Sequence, residues 1–251
     1  MVMRSSFRRK LSLTAAALVV LAVFAFSFEP VRDSFWFLWG RLRGGYSVAK
    51  RVQQLGPAVE ARLRRSVEAA GLAYPPRDVA YVAFKDSRRL EVYGRMSPDG
   101  EWRFIKTYPI LGLSGKTGPK LLEGDYQVPE GIYRAEFLNA NSRFHLAVRL
   151  NYPNELDKRQ ALAEGRAKLG GDIMIHGGSA SIGCLAMGNR AIEDLFVLAA
   201  LVSKERVRIV IAPTDFRAAA LFVPIVQGSW IDSLYVDLET ELQQFPKGEI
   251  K

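Results

Sequence analysis

The chain has very little cysteine and histidine: one Cys and two His among 251 residues. One cysteine excludes an internal disulfide framework. A zinc site would need Cys184, His176 and His145 together. His145 alternates with Phe144 and Leu146 in an expected strand, where a satisfied structural histidine is the simpler reading. No metal and no cofactor is therefore expected. A glycine-rich phosphate loop is also missing. Residues 112–118 read Gly-Leu-Ser-Gly-Lys-Thr-Gly, but they lack Walker spacing and no helix signal follows. There are no internal repeats and no low-complexity tract. An even spread of positive charge is lacking too. The net charge is +9, yet residues 1–65 hold 12 Lys/Arg against 3 Asp/Glu, and the other 186 residues hold 23 of each. The basic excess is therefore local, which argues for topology and lipid contact and against nucleic acid.

That local excess sits beside the one long apolar run. Arg4, Arg8, Arg9 and Lys10 precede residues 11–28, which carry no charge. Such a run is at the short end for a membrane span, and basic flanks before it keep the N-terminus cytoplasmic. An inner-membrane anchor with the rest of the chain in the periplasm is the favoured reading. The competing one is a secretory signal peptide cleaved near Val23-Phe24-Ala25, releasing the protein to the periplasm. Phe35, Trp36, Phe37 and Trp39 have the composition of a membrane–water boundary.

Four segments follow from the texture of the chain. Residues 1–28 form the basic tip and anchor or signal. Residues 29–77 read as a basic, membrane-proximal helical stalk. There Val52, Leu55, Val59, Leu63 and Val67 recur at helical spacing, and Arg62, Arg64 and Arg65 are expected on the wet or lipid-facing side. Gly71 and Pro75-Pro76 end that helix. Residues 78–213 carry short β-like runs at 79–84, 90–93, 102–108, 132–138, 144–150, 172–176 and 207–212, with helices at 155–169 and from Asn189, read as its cap, to about 203. Residues 214–251 read as a C-terminal helical extension, with helices near 214–221 and 233–244. The expected class is mainly β with peripheral helices (α+β), without alternating βαβ units.

The chemistry concentrates in residues 175–187, Ile-His-Gly-Gly-Ser-Ala-Ser-Ile-Gly-Cys-Leu-Ala-Met. His176 and Cys184 lie eight residues apart in a run of small residues. A thiol needs a nearby base to become a nucleophile at neutral pH, and glycines let backbone amides approach a reacting carbonyl. Cys184 is the candidate nucleophile and His176 the candidate base. The amides of Gly183 and Cys184 are candidate oxyanion donors. No acidic residue nearby offers itself as a third group, and the carbonyl of Gly177 could orient the imidazole. Ser181 is expected to shape the loop or contact substrate.

These residues resemble the signature of the L,D-transpeptidase catalytic domain (the YkuD domain): His176-Gly177-Gly178, then Ser181-Ile182-Gly183-Cys184. Further strings resemble its YafK-like murein branch. They are Gly118-Pro119-Lys120, Glu123-Gly124-Asp125, Val128 to Tyr133, Asn141 to Leu146 and Asn151-Tyr152-Pro153-Asn154. The resemblance implies a β-sandwich-like catalytic core at 78–213. It also implies cysteine acyl transfer on peptidoglycan stem peptides: Cys184 attacks the carbonyl of an L-centre, His176 acts as base, and an amine or water resolves the thioester. Ile182 and Ala186 depart from the broad family, which usually has His and Arg there. Both departures fit the YafK-like branch and remove polar groups that could position an acceptor. The branch is similar to enzymes that cut stem-peptide linkages, including the link to an attached lipoprotein, so a hydrolase is the alternative activity. A non-catalytic wall-binding module is the alternative class. Lys120 and Arg143 are candidate binders of a stem-peptide carboxylate. Tyr152 and Asn154 are candidate cleft-lining residues.

Overall fold

The computed structural model describes residues 45–217 and 230–248. The expected anchor, the aromatic cluster at 35–39 and most of the helix near 214–221 lie outside the described residues. Residues 214–217 form a bend and turn rather than the start of a helix. Among the described residues, no helix is long and apolar enough to cross a membrane. The chain divides at Gly45 and Tyr46, and the following concerns the unit that begins at Tyr46.

The elements, in chain order, are α1 (Val48–Ala69), β1 (Asp78–Phe84), β2 (Arg89–Arg95), β3 (Arg103–Pro109), β4 (Gly112–Leu113), β5 (Gly131–Ser142), β6 (His145–Leu150), α2 (Glu155–Ala163), β7 (Met174–His176), β8 (Leu185–Ala186), α3 (Asn189–Val202), β9 (Val207–Ala212) and α4 (Trp230–Leu242). A single 3-10 turn, Lys204–Arg206, joins α3 to β9. This is a sheet-dominated α+β architecture with peripheral helices.

The strands run in one hydrogen-bonded order, β3-β2-β1-β9-β5-β6-β7-β8-β4. The long β5 links the two halves. Gly131–Arg134 pairs with β9, while Ala135 onward pairs with β6 through two register breaks. Those breaks bend the strand. β1 and β9 are parallel neighbours at the centre of one half. Apart from Asp78 and Arg208 at their starts, both are apolar because both faces are covered. Val79, Tyr81, Ala83, Val207, Ile209 and Ile211 face one core, and Ala80, Val82, Phe84, Val210 and Ala212 face another built on Leu234, Leu238 and Leu242 of α4. This half is thus helix on sheet on helix. In the other half, Leu146, Val148, Leu150, Ile175 and Leu185 join the same core as Ile192, Leu195, Phe196 and Ala199 of α3. The bent sheet holds α3 against both halves, which explains why α3 is apolar almost all round.

The helix read as a stalk is part of this core. Ser47 caps α1 by accepting from the Lys50 amide at 3.2 Å, and Val59, Leu63 and Val67 are at most 1% exposed. Arg62, expected on the wet side, instead pairs with buried Asp194 of α3 at 2.6 Å. The other carboxylate oxygen of Asp194 accepts from Tyr108 at 2.8 Å. A buried carboxylate needs such partners, and an arginine count alone cannot reveal them. Arg64 does face outward, between Glu60 and Glu68. The helix expected over 155–169 stops at Ala163; Gly165, with φ +68°, follows. The cap of α3 is Gly188 rather than Asn189, whose side chain serves the site loop instead.

Candidate active site

Parallel pairing of β7 with β8 builds the site. Ile175 faces Leu185, and His176 faces Ala186. Carried back one residue, that register sets Cys184 beside Met174. Side chains alternate along a strand, so Met174, His176 and Cys184 share one face while Ile175 and Leu185 enter the core. The loop between them is closed by two backbone bonds, Met187 N–H to the His176 carbonyl and Gly188 N–H to the Gly178 carbonyl, both 2.8 Å. The Gly178 amide donates to Asn189 Oδ1 at 3.0 Å. At Gly177 a Cβ would lie 2.5 Å from the Phe144 carbonyl oxygen and 2.6 Å from Asn189 Oδ1. Only glycine fits that packing.

His176 is 3% exposed. Its Nδ1 lies 2.6 Å from the Gly177 carbonyl oxygen. A carbonyl only accepts, so Nδ1 carries the proton and Nε2 is left with its lone pair. The Phe144 ring lies against the imidazole, with centroids 4.6 Å apart. Burial pulls the His176 pKa below its ordinary 6.5, and the Gly177 bond opposes this only in part. The imidazole is therefore neutral at pH 7.

Cys184 is partly exposed. Its Sγ lies 3.8 Å from the Asp172 carbonyl oxygen, and no hydrogen bond joins it to His176. Burial pushes the thiol above its ordinary 9.0, and nearby Asp172 adds to the rise; the Met174 backbone and Lys120 oppose it. The resting pair is thus a thiol and a neutral imidazole, not a thiolate and an imidazolium.

The two amides expected as oxyanion donors are already engaged. Gly183 N–H donates to Ser114 Oγ at 2.6 Å, and Cys184 N–H donates to Ser181 Oγ at 3.1 Å. Ser181 in turn donates to the Cys184 carbonyl at 2.6 Å. Buried amides require acceptors, and the two hydroxyls supply them. A carbonyl oxygen entering here must displace a serine. Ser114 escaped the sequence reading because it lies 70 residues before Cys184, in the string dismissed as a phosphate loop. The short β4–β8 pairing brings it in.

The outer candidates scatter. Lys120 is buried, 2.6 Å from Asp125 and 2.7 Å from the Leu122 carbonyl oxygen, and acts on Cys184 only through its field. Arg143 is exposed in the β5–β6 turn. Tyr152 is buried, its hydroxyl 3.3 Å from the Leu169 carbonyl oxygen. Asn154 caps α2, in a reciprocal box with Asp157. His145 pairs with Glu193 at 3.0 Å.

No family model matches the chain. It is 36% identical over 115 residues to the Escherichia coli (strain K12) protein YafK, whose own L,D-transpeptidase assignment is provisional. Over those residues the chain is similar to YafK. The match covers 45% of this chain and 44% of the relative, so the chain spans under half the length of the curated relatives it matches. Among solved structures, the helical cell shape determining protein Pgp2 from Campylobacter jejuni is similar, at 27% identity and a TM-score of 0.45, covering 56% of this chain and 49% of that one. L,D-transpeptidase 1 from Mycobacterium tuberculosis is more distant, at 14% identity and a TM-score of 0.32, covering 54% and 62%.

Proposed function

We propose that residues 78–213 carry out cysteine-dependent acyl transfer on peptidoglycan stem peptides, in the periplasm. The observation that carries this reading is the imidazole of His176, oriented through Nδ1 by the Gly177 carbonyl, on the same strand face as the chain's single thiol. In the reaction, Nε2 takes the Cys184 proton as sulfur attacks the carbonyl carbon of an L-centre. The leaving D-residue amine takes that proton as the thioester forms. An amine or water then attacks the thioester and gives its own proton to Nε2, which passes it to the departing sulfur. The developing oxyanion draws on the Gly183 and Cys184 amides, displacing the Ser114 and Ser181 hydroxyls. Residues 1–28 serve as inner-membrane anchor, or as a signal cleaved on export. A wall-attached lipoprotein is a partner in the hydrolytic version of the reaction.

That hydrolytic version has its own support. Ile182, next to Cys184 in the loop, is 80% exposed, and Ala186 is fully buried. Neither offers a polar group to seat an acceptor amine. The test is incubation of the protein, wild type and Cys184→Ala, with purified sacculi and disaccharide-tetrapeptides, read by mass spectrometry. Cys184-dependent L,D cross-links or D-residue exchange mark a transpeptidase. Cys184-dependent release of a terminal residue or bound chain marks a hydrolase. No change with either protein moves the reading to a wall-binding module.

A further inference from the structure

The starts of β1, β5 and β9 and the end of β2 surround a cleft of about 500 Å³ that shares no residue with the Cys184 site. Its size suits a small ligand. Five arginines line it: Arg77, Arg95, Arg134, Arg206 and Arg208. Register forces the crowding, since Arg134 of β5 lies directly opposite Arg208 of β9, and like charges facing each other across strands are unfavourable.

The protein neutralises only some of them. Asp78 takes Arg95 at 2.9 Å and Arg77 at 3.7 Å. Arg208 donates to Glu241 at 2.8 Å. Glu205 also lines the cleft, but its carboxylate is held by Lys204 at 2.6 Å and by the Ser203 hydroxyl. Exposed Arg134 and Arg206 have no side-chain partner among the described residues. Five arginines and Lys204 against Asp78, Glu205 and Glu241 leave three positive charges in excess. Residues 66–251 hold 23 Lys/Arg and 23 Asp/Glu and are neutral as a whole, so this excess is concentrated rather than general. Within the cleft the Arg95 guanidinium stacks 4.4 Å from the Trp102 ring centroid. Trp102 lines the cleft, and its buried indole N–H has no acceptor among the described residues.

We propose that this cleft is a second binding site, which takes a phosphate monoester group on Arg134 and Arg206. A phosphate dianion presents three acceptor oxygens to two guanidinium forks and offsets most of the excess charge. One carboxylate would satisfy one fork only. The group could arrive on a soluble phosphate ester or on a phosphomonoester lipid headgroup.

The test is calorimetric titration of the full chain with inorganic phosphate at low salt, for wild type and the R134Q/R206Q double variant. Both positions are exposed, and thermal unfolding checks that the variant is folded. Saturable binding is expected in the wild type, weakened about tenfold or more in the variant, with Cys184→Ala binding as wild type. Sedimentation with phosphatidic acid vesicles separates the sources. The 12 Lys/Arg of residues 1–65 attract anionic vesicles by themselves, so only the portion of vesicle binding removed by R134Q/R206Q counts. Such a portion supports a lipid source; phosphate binding without it supports a soluble ester. Lack of saturable phosphate binding, equal binding by R134Q/R206Q, or equally tight binding of succinate overturns the proposal.

Discussion

The protonation state of Cys184 gives the sharpest quantitative expectation. Cysteine enzymes that rest as a thiolate–imidazolium pair alkylate at nearly constant rate across neutral and mildly acidic pH. Here burial holds the thiol above 9.0 and the imidazole below 6.5. With a thiol pKa above 9.0, fewer than about one molecule in a hundred carries the thiolate at pH 7. The iodoacetamide rate should therefore rise about tenfold for each pH unit from 6 to 8 and level off only above pH 9. The chain has no other cysteine, so intact mass reports this one site without correction, and Cys184 is partly exposed. His176→Ala should leave the profile nearly unchanged, because no ion pair is lost. A flat rate between pH 5 and 8 in the wild type, abolished in His176→Ala, would refute the neutral-pair account.

Three further outcomes follow from packing and burial. Leu63→Ala, 1% exposed on α1, should cost about 2–5 kcal/mol in urea unfolding; a cost below about 0.5 kcal/mol would mean α1 is a detachable stalk. Gly177→Ala forces a methyl against the Phe144 carbonyl and Asn189 and should lose about 1–3 kcal/mol. Activity should fall with it as the loop shifts, and wild-type stability would contradict the packing. Asp157 is pushed up to about 6 by burial, from 3.8. Its proton is held more tightly in the folded chain, so its stabilisation is complete below about pH 3.8 and lost as pH rises through about 6. The swing is about 3 kcal/mol. Asp157→Asn should flatten the stability curve between pH 4 and 7, and an unchanged slope would count against the burial argument.

The elements that could be read from sequence were those whose signals are local. The apolar run 207–212 and the helix from 189 sit where periodicity set them. The spacing of Val59, Leu63 and Val67 gave the buried face of α1, but periodicity cannot say what that face meets. Nor could it show that Arg62, beside that face, meets Asp194, more than 130 residues away. The Gly177 carbonyl was a natural orienting group because it directly follows the histidine, and it lies 2.6 Å from Nδ1. Ser114 and Phe144 were illegible as site residues, since the β4–β8 pairing and a turn bring them in from distant strands. Asn154 carries a signal of the opposite, local kind. Its capping box with Asp157 could be read from the Asn-x-x-Asp spacing alone.

The central claim is that Cys184 becomes the acyl carrier with His176 as its base. The most direct test is intact-mass analysis of the protein after brief exposure to a disaccharide-tetrapeptide or a carbapenem at pH 7. Wild type should gain one acyl adduct, mapped by peptide digestion to Cys184. Cys184→Ala should gain none, and His176→Ala should acylate far more slowly while still reacting with iodoacetamide. An adduct on another residue, or equal acylation of wild type and His176→Ala, would contradict the account.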